Sequence, residues 1–367
     1  MYNTIHISSL RLLAALLIAV CFAPSSPAGD VDRSESQAEA QHSRKGHTVL
    51  VVQEGLGQVM AFSTANVYHR KVIDVGEKPH EIELTPDGRT AFVSNFGLLE
   101  VNHQIGTPGT TISVLDVQRG IERRRFDLPS GYTAPHGLKL RPPHYRELFT
   151  NTEVGTEGMV VFDAASGTVL RTFALPHGVH NFIFDAEGTA LFAFTTTGEV
   201  LRIDPEQGTV VASGAVASPR GLAWTWDHRH LIGGGNNALV FLNPSDLTVE
   251  SQIGHLGTGQ IFYPAATPDG RWILAPAVLD GVVLVIDATT GSVAHRVETG
   301  SPLQVVPDGR RAWVSNVLVP PELLEPNAAP PLGGVVLLDL TTFRTVAIPD
   351  MIDANGIGVS PVRSRKD

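Results

Sequence analysis

The sequence predicts an all-β fold, a seven-bladed β-propeller with four-stranded blades whose ring is closed by the C-terminal strand joining three N-terminal strands. Three observations predict it. A unit of roughly 40–50 residues recurs along the chain, the length of one propeller blade. Each unit holds four short runs that alternate in polarity or are rich in β-branched residues, with Gly, Asp or Pro between them. That is the pattern of strands rather than helices. The two ends of the chain carry complementary fragments of one more unit.

The stretch "PHEIELTPDGRTAFVSN" (79–95) defines the unit: a first strand opening on Pro-His, a Pro-Asp-Gly turn, and a second strand ending in Asn. It returns as "APHGLKLRPPHYRELFTN" (134–151), "GVHNFIFDAEGTALFAF" (178–194) and "SPRGLAWTWDHRHLIGG" (218–234). "IFYPAATPDGRWILAP" (261–276) and "SPLQVVPDGRRAWVSN" (301–316) follow. After each comes an apolar run ending at a turn, such as "TISVLDVQRG" or "MVVFDAASG", and then one more short strand, such as "VLRTFAL". A lone blade cannot bury both faces, so neighbours must pack face to face around an axis until the ring closes.

The termini fix the count. Full units run from about 79 to 349, and "DANGIGVSP" (353–361) is a first strand with no second. "HTVLVVQEGLGQVMAFSTANVYHRKVIDV" (47–75) is three strands without a first. Joined, they make a seventh blade and leave no open sheet edge. The propeller therefore occupies 47–361, with a short tail at 362–367.

The 367 residues are 43% hydrophobic and 17% charged, with 36 Gly and 25 Pro, a globular and turn-rich composition. A net charge of −10 lacks the electrostatic footprint of a nucleic-acid binder, so no nucleic-acid partner is expected. Residues 1–28 read as an export signal: Arg11, the apolar run "LLAALLIAVCFA" (12–23), and small residues before a cleavage point after Ala28. The run is too short to span a bilayer. "IAVC" resembles a lipoprotein box, but Val20 is larger than the residue that box prefers, so simple cleavage is favoured over lipid anchoring at Cys21. The mature chain then has no cysteine, hence no disulfide and no thiolate ligand or nucleophile. Residues 29–46 are polar and patternless and read as a flexible leader. A periplasmic or secreted monomer is expected.

The motifs "PHEIELTPDGRTAFVSN", "PHGLKLRP" and "PDGRRAWVSN" resemble the YVTN β-propeller repeat, and the resemblance covers nearly all of 47–361. It implies the propeller fold and an exported protein. The same architecture serves lactonases, streptogramin-type lyases and quinoprotein dehydrogenase subunits, so it selects no activity. The repeat also offers a purely architectural use for its histidine, capping a strand start against a neighbouring blade's backbone.

In this architecture the start of each first strand lies at the channel mouth. Aligned there, the ring reads His80, His136, His180, Arg220, Phe262, Leu303 and Asn355. Three long or acidic loops share that face: "FGLLEVNHQIGTPGT" (96–110) with Glu100, Asn102 and His103, "NTEVGTEG" (151–158) with Glu153 and Glu157, and "NVLVPPELLEPNAAPPLGG" (316–334). Long loops on a rigid scaffold are where function is usually placed. The expected function is binding of a small molecule or a protein partner at this funnel face. His103, Glu153, Glu157, Tyr132 and Asn355 are candidate ligand-binding residues. The alternative is an enzyme of lyase, lactonase or isomerase type. His80, His136 and His180 would act as acid and base or hold a divalent metal, with Glu153 or His103 as a further ligand and Arg220 as a carboxylate clamp.

The remaining features read as architecture. Asn95, Asn151 and Asn316 end second strands and fix turns. Asp116, Asp163, Asp204, Asp287 and Asp339 end third strands and form turns. Trp224 and Trp226 are expected to pack between blades, and "RGIERRRF" (119–126) to form a solvated outer edge.

Overall fold

The computed structural model describes residues 46–99, 105–318 and 333–360. Residues 1–28, read above as an export signal, with Cys21 and Ala28, the expected leader up to residue 45, Glu100, Asn102, His103, most of the 316–334 loop and the 362–367 tail lie outside them. The described chain forms seven four-stranded antiparallel sheets, each ordered as in the sequence except the closing one. Among the described residues there is no α-helix, only a 3-10 turn at Glu54–Leu56. None of them forms a helix long and apolar enough to cross a membrane.

The innermost strands are Pro79–Leu84, Tyr132–Leu140, Val179–Phe184, Leu222–Trp224, Ala265–Ala266 and Pro302–Asp308 in blades 1 to 6, and Ala354–Val359 in the closing blade. Each touches the next in cyclic order, and Ala354–Val359 touches Pro79–Leu84. The ring is sealed where Ala354–Val359 pairs antiparallel with Thr48–Gln53, with Leu50 opposite Gly358 and Val51 opposite Ile357. This pairing satisfies backbone groups that an open sheet would leave as a sticky edge.

Period-two alternation gives each blade two apolar faces. In blade 1, Ala91 and Val93 pack with Leu50 and Val59 of the closing blade. Phe92, between them, packs with Leu138, Leu148 and Phe162 of blade 2. Seven such clusters fill the seven interfaces. The closing interface holds Trp313, fully buried, edge-on to Phe62 at 5.4 Å. The outer strands are mostly exposed, and in the basic run Arg125 bonds Glu122 at 2.8 Å, as a solvated edge should.

The turn aspartates behave as the sequence predicts. Asp163 accepts from the backbone N–H of Ala165 and Ser166, and Asp287 and Asp339 take the same pairs of donors in their own blades. These donors hold the Asp287 and Asp339 carboxyls below their usual range. Trp224 packs between blades, with its Nε1 donating to the Phe184 carbonyl at 2.7 Å. Trp226 is 59% exposed, because the strand ends at Trp224 and the alternation ends with it, but its ring still lies over Gly270 of blade 5, where a Cβ would fall 2.8 Å from it. Truncating Trp313 to Ala is expected to cost about 3–5 kcal/mol of unfolding free energy. Denaturant unfolding measures it, and a loss under 1 kcal/mol would mean the closing interface contributes little.

Candidate functional site

The site begins with an irregularity shared by five inner strands. In blade 1, Pro79 pairs with Asn95 and Ile82 with Val93, so one extra residue is inserted on the inner strand. The same bulge falls between Pro135 and Leu138, Val179 and Asn181, Pro302 and Val305, and Ala354 and Ile357. A bulge puts two residues opposite one and re-aims them. It lets consecutive residues, His80 and Glu81 or His180 and Asn181, both reach the axis, one tier below the other.

The upper tier is the histidine cluster. His80, His136 and His180 are 1%, 0% and 2% exposed. The His80 and His136 ring centroids are 4.1 Å apart, and those of His136 and His180 4.0 Å. Phe96 stacks on His80 at 5.4 Å and meets His136 edge-on at 5.1 Å, while Phe194 meets His180 at 5.5 Å. Glu153 accepts a hydrogen bond from His180 Nδ1 at 2.8 Å and lies 3.9 Å from His136 Nδ1. At the far end the Asn355 amide nitrogen contacts His80 Nδ1 and lies 3.4 Å from the buried Glu54 carboxylate. The array therefore runs Glu54, Asn355, His80, His136, His180, Glu153, with a carboxylate at each end.

The other half of the ring is apolar. Phe262 and Leu303 join Val278 and Val317 in a small cluster. Arg220 is half-buried at the start of blade 4, where its backbone carbonyl accepts from Tyr263 N–H at 2.9 Å. Among the described residues it makes no hydrogen bond or ion pair with the histidines. Tyr132 packs in the core between blades 1 and 2 rather than in the channel, because the inner strand of blade 2 is extended backwards to pair Tyr132 with Gly155. His103 lies outside the described residues.

The histidines are not open to the funnel, as an exposed ring at a channel mouth would be. Phe96, Leu98 and Ala134 form an apolar lid cluster beside them. A recess of about 180 Å3 does open on the loop face between blades 2 and 3, lined by Glu153, Glu157, His177, Gly178, Val179 and Thr196. Glu157 is held at its rim by His177 Nδ1 at 2.8 Å and Gly178 N–H at 3.0 Å. Asn95 and Asn151 are architectural. Asn95 accepts from Gly76 N–H, and Asn151 accepts from Gly137 N–H and donates to the Val179 and His180 carbonyls, fixing the height of His180.

The lower tier was not among the sequence candidates. Glu81 accepts from Asn181 Nδ2 at 2.9 Å, and Lys139 Nζ stands 3.9 Å from Glu81 and 3.8 Å from Glu83. Glu81, Asn181 and Lys139 line an axial cavity of about 110 Å3 with Phe194, Tyr263 and Gln304. Gly137 is required here, since a Cβ would fall 2.6 Å from both Asn151 Oδ1 and Asn181 Oδ1. Burial pushes the Glu83 carboxyl above its ordinary value of 4.5, and Lys139 and the Leu140 N–H offset this only in part.

No protein-family model and no curated protein matches the chain. Solved structures do. Hydrazine synthase from Kuenenia stuttgartiensis is similar with a TM-score of 0.57 and 17% identity, over 73% of this chain and 89% of that one. A functionally unknown protein from Desulfotomaculum acetoxidans is similar with a TM-score of 0.66 and 13% identity, over 85% of this chain and 98% of that one. At these identities the likeness extends to the propeller fold alone.

A raised carboxyl favours the native state while protonated, so Glu83 stabilises most below its unfolded value and loses that contribution as pH rises. Glu83→Gln should therefore gain stability over the native sequence between about pH 4.5 and neutrality. Urea midpoints across that range test it, and a difference that is flat or reversed would contradict the account.

Proposed function

We propose that the protein is an exported propeller of the YVTN type that binds a divalent transition metal at its axis and a small molecule at the funnel face above it. One observation carries the reading. Ligand atoms of His136, His180 and Glu153 lie within 4.8 Å of one another. Two groups bound to one ion at about 2.1 Å are at most about 4.2 Å apart, so a shift of under an ångström closes the set. Two imidazoles and a carboxylate suit Zn, Ni, Cu or non-haem Fe. Glu153 also borders the recess between blades 2 and 3, which supports a small molecule approaching from the long-loop side. Glu157 and His177 on the rim supply polar contacts for it. The same proximity of ligand set and recess supports the enzymatic alternative, a lyase, lactonase or isomerase reaction at the metal. The amino-terminal signal supports delivery to the periplasm or medium, with cleavage after Ala28.

Elemental analysis of the mature protein from its native compartment tests the reading. Near-stoichiometric metal is expected, with at least tenfold less in His180→Ala at unchanged fold. Metal-free wild-type protein whose melting temperature ignores added Zn(II), Cu(II) and Ni(II) would overturn it.

A further inference from the structure

We propose that a groove between blades 4 and 5, at the end of the inner strands opposite the histidines, is a carbohydrate-binding site built around Trp226. The inference is independent of the metal reading and uses none of its residues. It begins with two departures from the repeat.

The first departure is in the turn that links the first and second strands of a blade. Blades 1, 5 and 6 place Pro86, Pro268 and Pro307 second in that turn, and blade 3 places Ala186, whereas blade 4 has Trp226. The turn itself does not need the indole. Asp227 accepts from Thr225 Oγ1 at 2.7 Å and from Arg229 N–H at 3.2 Å, as Asp87 accepts from Thr85 and Arg89 in blade 1. His228, at φ 56°, takes the left-handed conformation that Gly88 takes there. The indole lies face-down on Gly270 of blade 5, where a Cβ would fall 2.8 Å from three atoms of its five-membered ring. With Trp226 59% exposed, the other face of the ring is open.

The second departure is on the outer strands. Phe126 of blade 1 lies against Gly167 of blade 2, and Phe173 of blade 2 against Gly208 of blade 3. The outer strand of blade 4, Val249–Gly254, puts Ile253 at that position, against Gly291 of blade 5. The smaller side chain leaves room, and a groove of about 390 Å3 opens, lined by Trp226, His230, Phe241, Ser251 and Ile253 among others. That volume falls within the roughly 300–1,000 Å3 of small-molecule sites.

The chemistry of the lining selects the ligand. Its carboxylates are already matched: Glu250 is bonded by His230 Nε2 at 2.7 Å and Asn243 Nδ2 at 2.8 Å, and Asp227 lies 3.6 Å from Arg229 Nε. A charged ligand therefore meets no unbalanced charge. A wholly apolar one would strip water from the polar side chains without replacing it. The groove combines an open indole and Phe241 with the exposed Ser251 hydroxyl, which shares a sheet face with Phe241 because the two residues pair directly. A neutral pyranose has the complementary halves. Its C–H face is apolar and stacks on an aromatic ring, and its hydroxyls take hydrogen bonds at the edge.

The test titrates maltose, cellobiose, lactose and N,N′-diacetylchitobiose into the mature chain, followed by saturation-transfer NMR and tryptophan fluorescence. At least one of them is expected to bind with a millimolar or tighter Kd. Trp226→Ala is expected to weaken that sugar about tenfold or more, and Trp226→Phe to retain part of the affinity. Ser251→Trp, on the exposed outer strand, fills the groove without touching the turn and is expected to abolish binding. It decides the matter alone if Trp226→Ala does not fold. No binding of any of the four at about 10 mM would overturn the proposal. So would sugar binding that survives either Trp226→Ala or Ser251→Trp in folded protein, or a groove that takes a proline-rich peptide and no sugar.

Discussion

Everything at the axis depends on the antiparallel seam between Thr48–Gln53 and Ala354–Val359. The seam joins residues some 300 positions apart, so its loop-closure cost must be repaid by what it buries. Backbone pairing and the Trp313, Phe62 and Ile357 cluster supply that return. The seam also has a chemical consequence. Glu54 arrives on the amino-terminal side and Asn355 on the carboxyl-terminal side, and only the closed ring puts them in contact with each other and with His80. Ring closure and site assembly are one event.

The second constraint is the repeated bulge. A regular strand would send His80 and Glu81 to opposite sides, and the axis could receive one of them. The inserted residue gives two stacked tiers. One is an aromatic-lined imidazole tier near the loops, and the other a carboxylate, amide and ammonium tier beneath it. Glycine at 137 leaves room for the Asn151 amide, which ties blade 2 to blade 3, and for the Asn181 amide, which ties blade 3 to Glu81 of blade 1. The site is lopsided because the ring positions are. Phe262 and Leu303 belong instead to an apolar cluster with Val278 and Val317.

The fold was legible because a blade has a strong signature. Alternation, Pro-Asp-Gly turns and Asp-capped turns repeat, and two partial units must add to a whole. The ring histidines were legible for the same reason, since a repeat fixes their place without knowledge of contacts. Glu153 was found by its loop. Glu54, Glu81 and Asn181 were not found, because alternation hides a bulge and sequence distance hides a seam. A signal for Glu54 existed: it stands one residue past the second strand of its blade, where blade 1 has Phe96 against the histidines. Arg220 and Tyr132 illustrate the reverse error. Proximity in an alignment or to a "PHG" motif does not fix a side-chain direction: Tyr132 packs in the core between blades 1 and 2, and among the described residues Arg220 makes no hydrogen bond or ion pair with the histidines.

The most direct measurement is a crystal structure of the metal-soaked protein with anomalous data collected at the absorption edge of that metal. The account predicts one axial anomalous peak about 2.0–2.2 Å from nitrogens of His136 and His180, beside Glu153, with His80 still joined to Asn355. A map without an axial peak, with the three imidazoles turned onto neighbouring backbone, would contradict it and return the histidines to a purely architectural role.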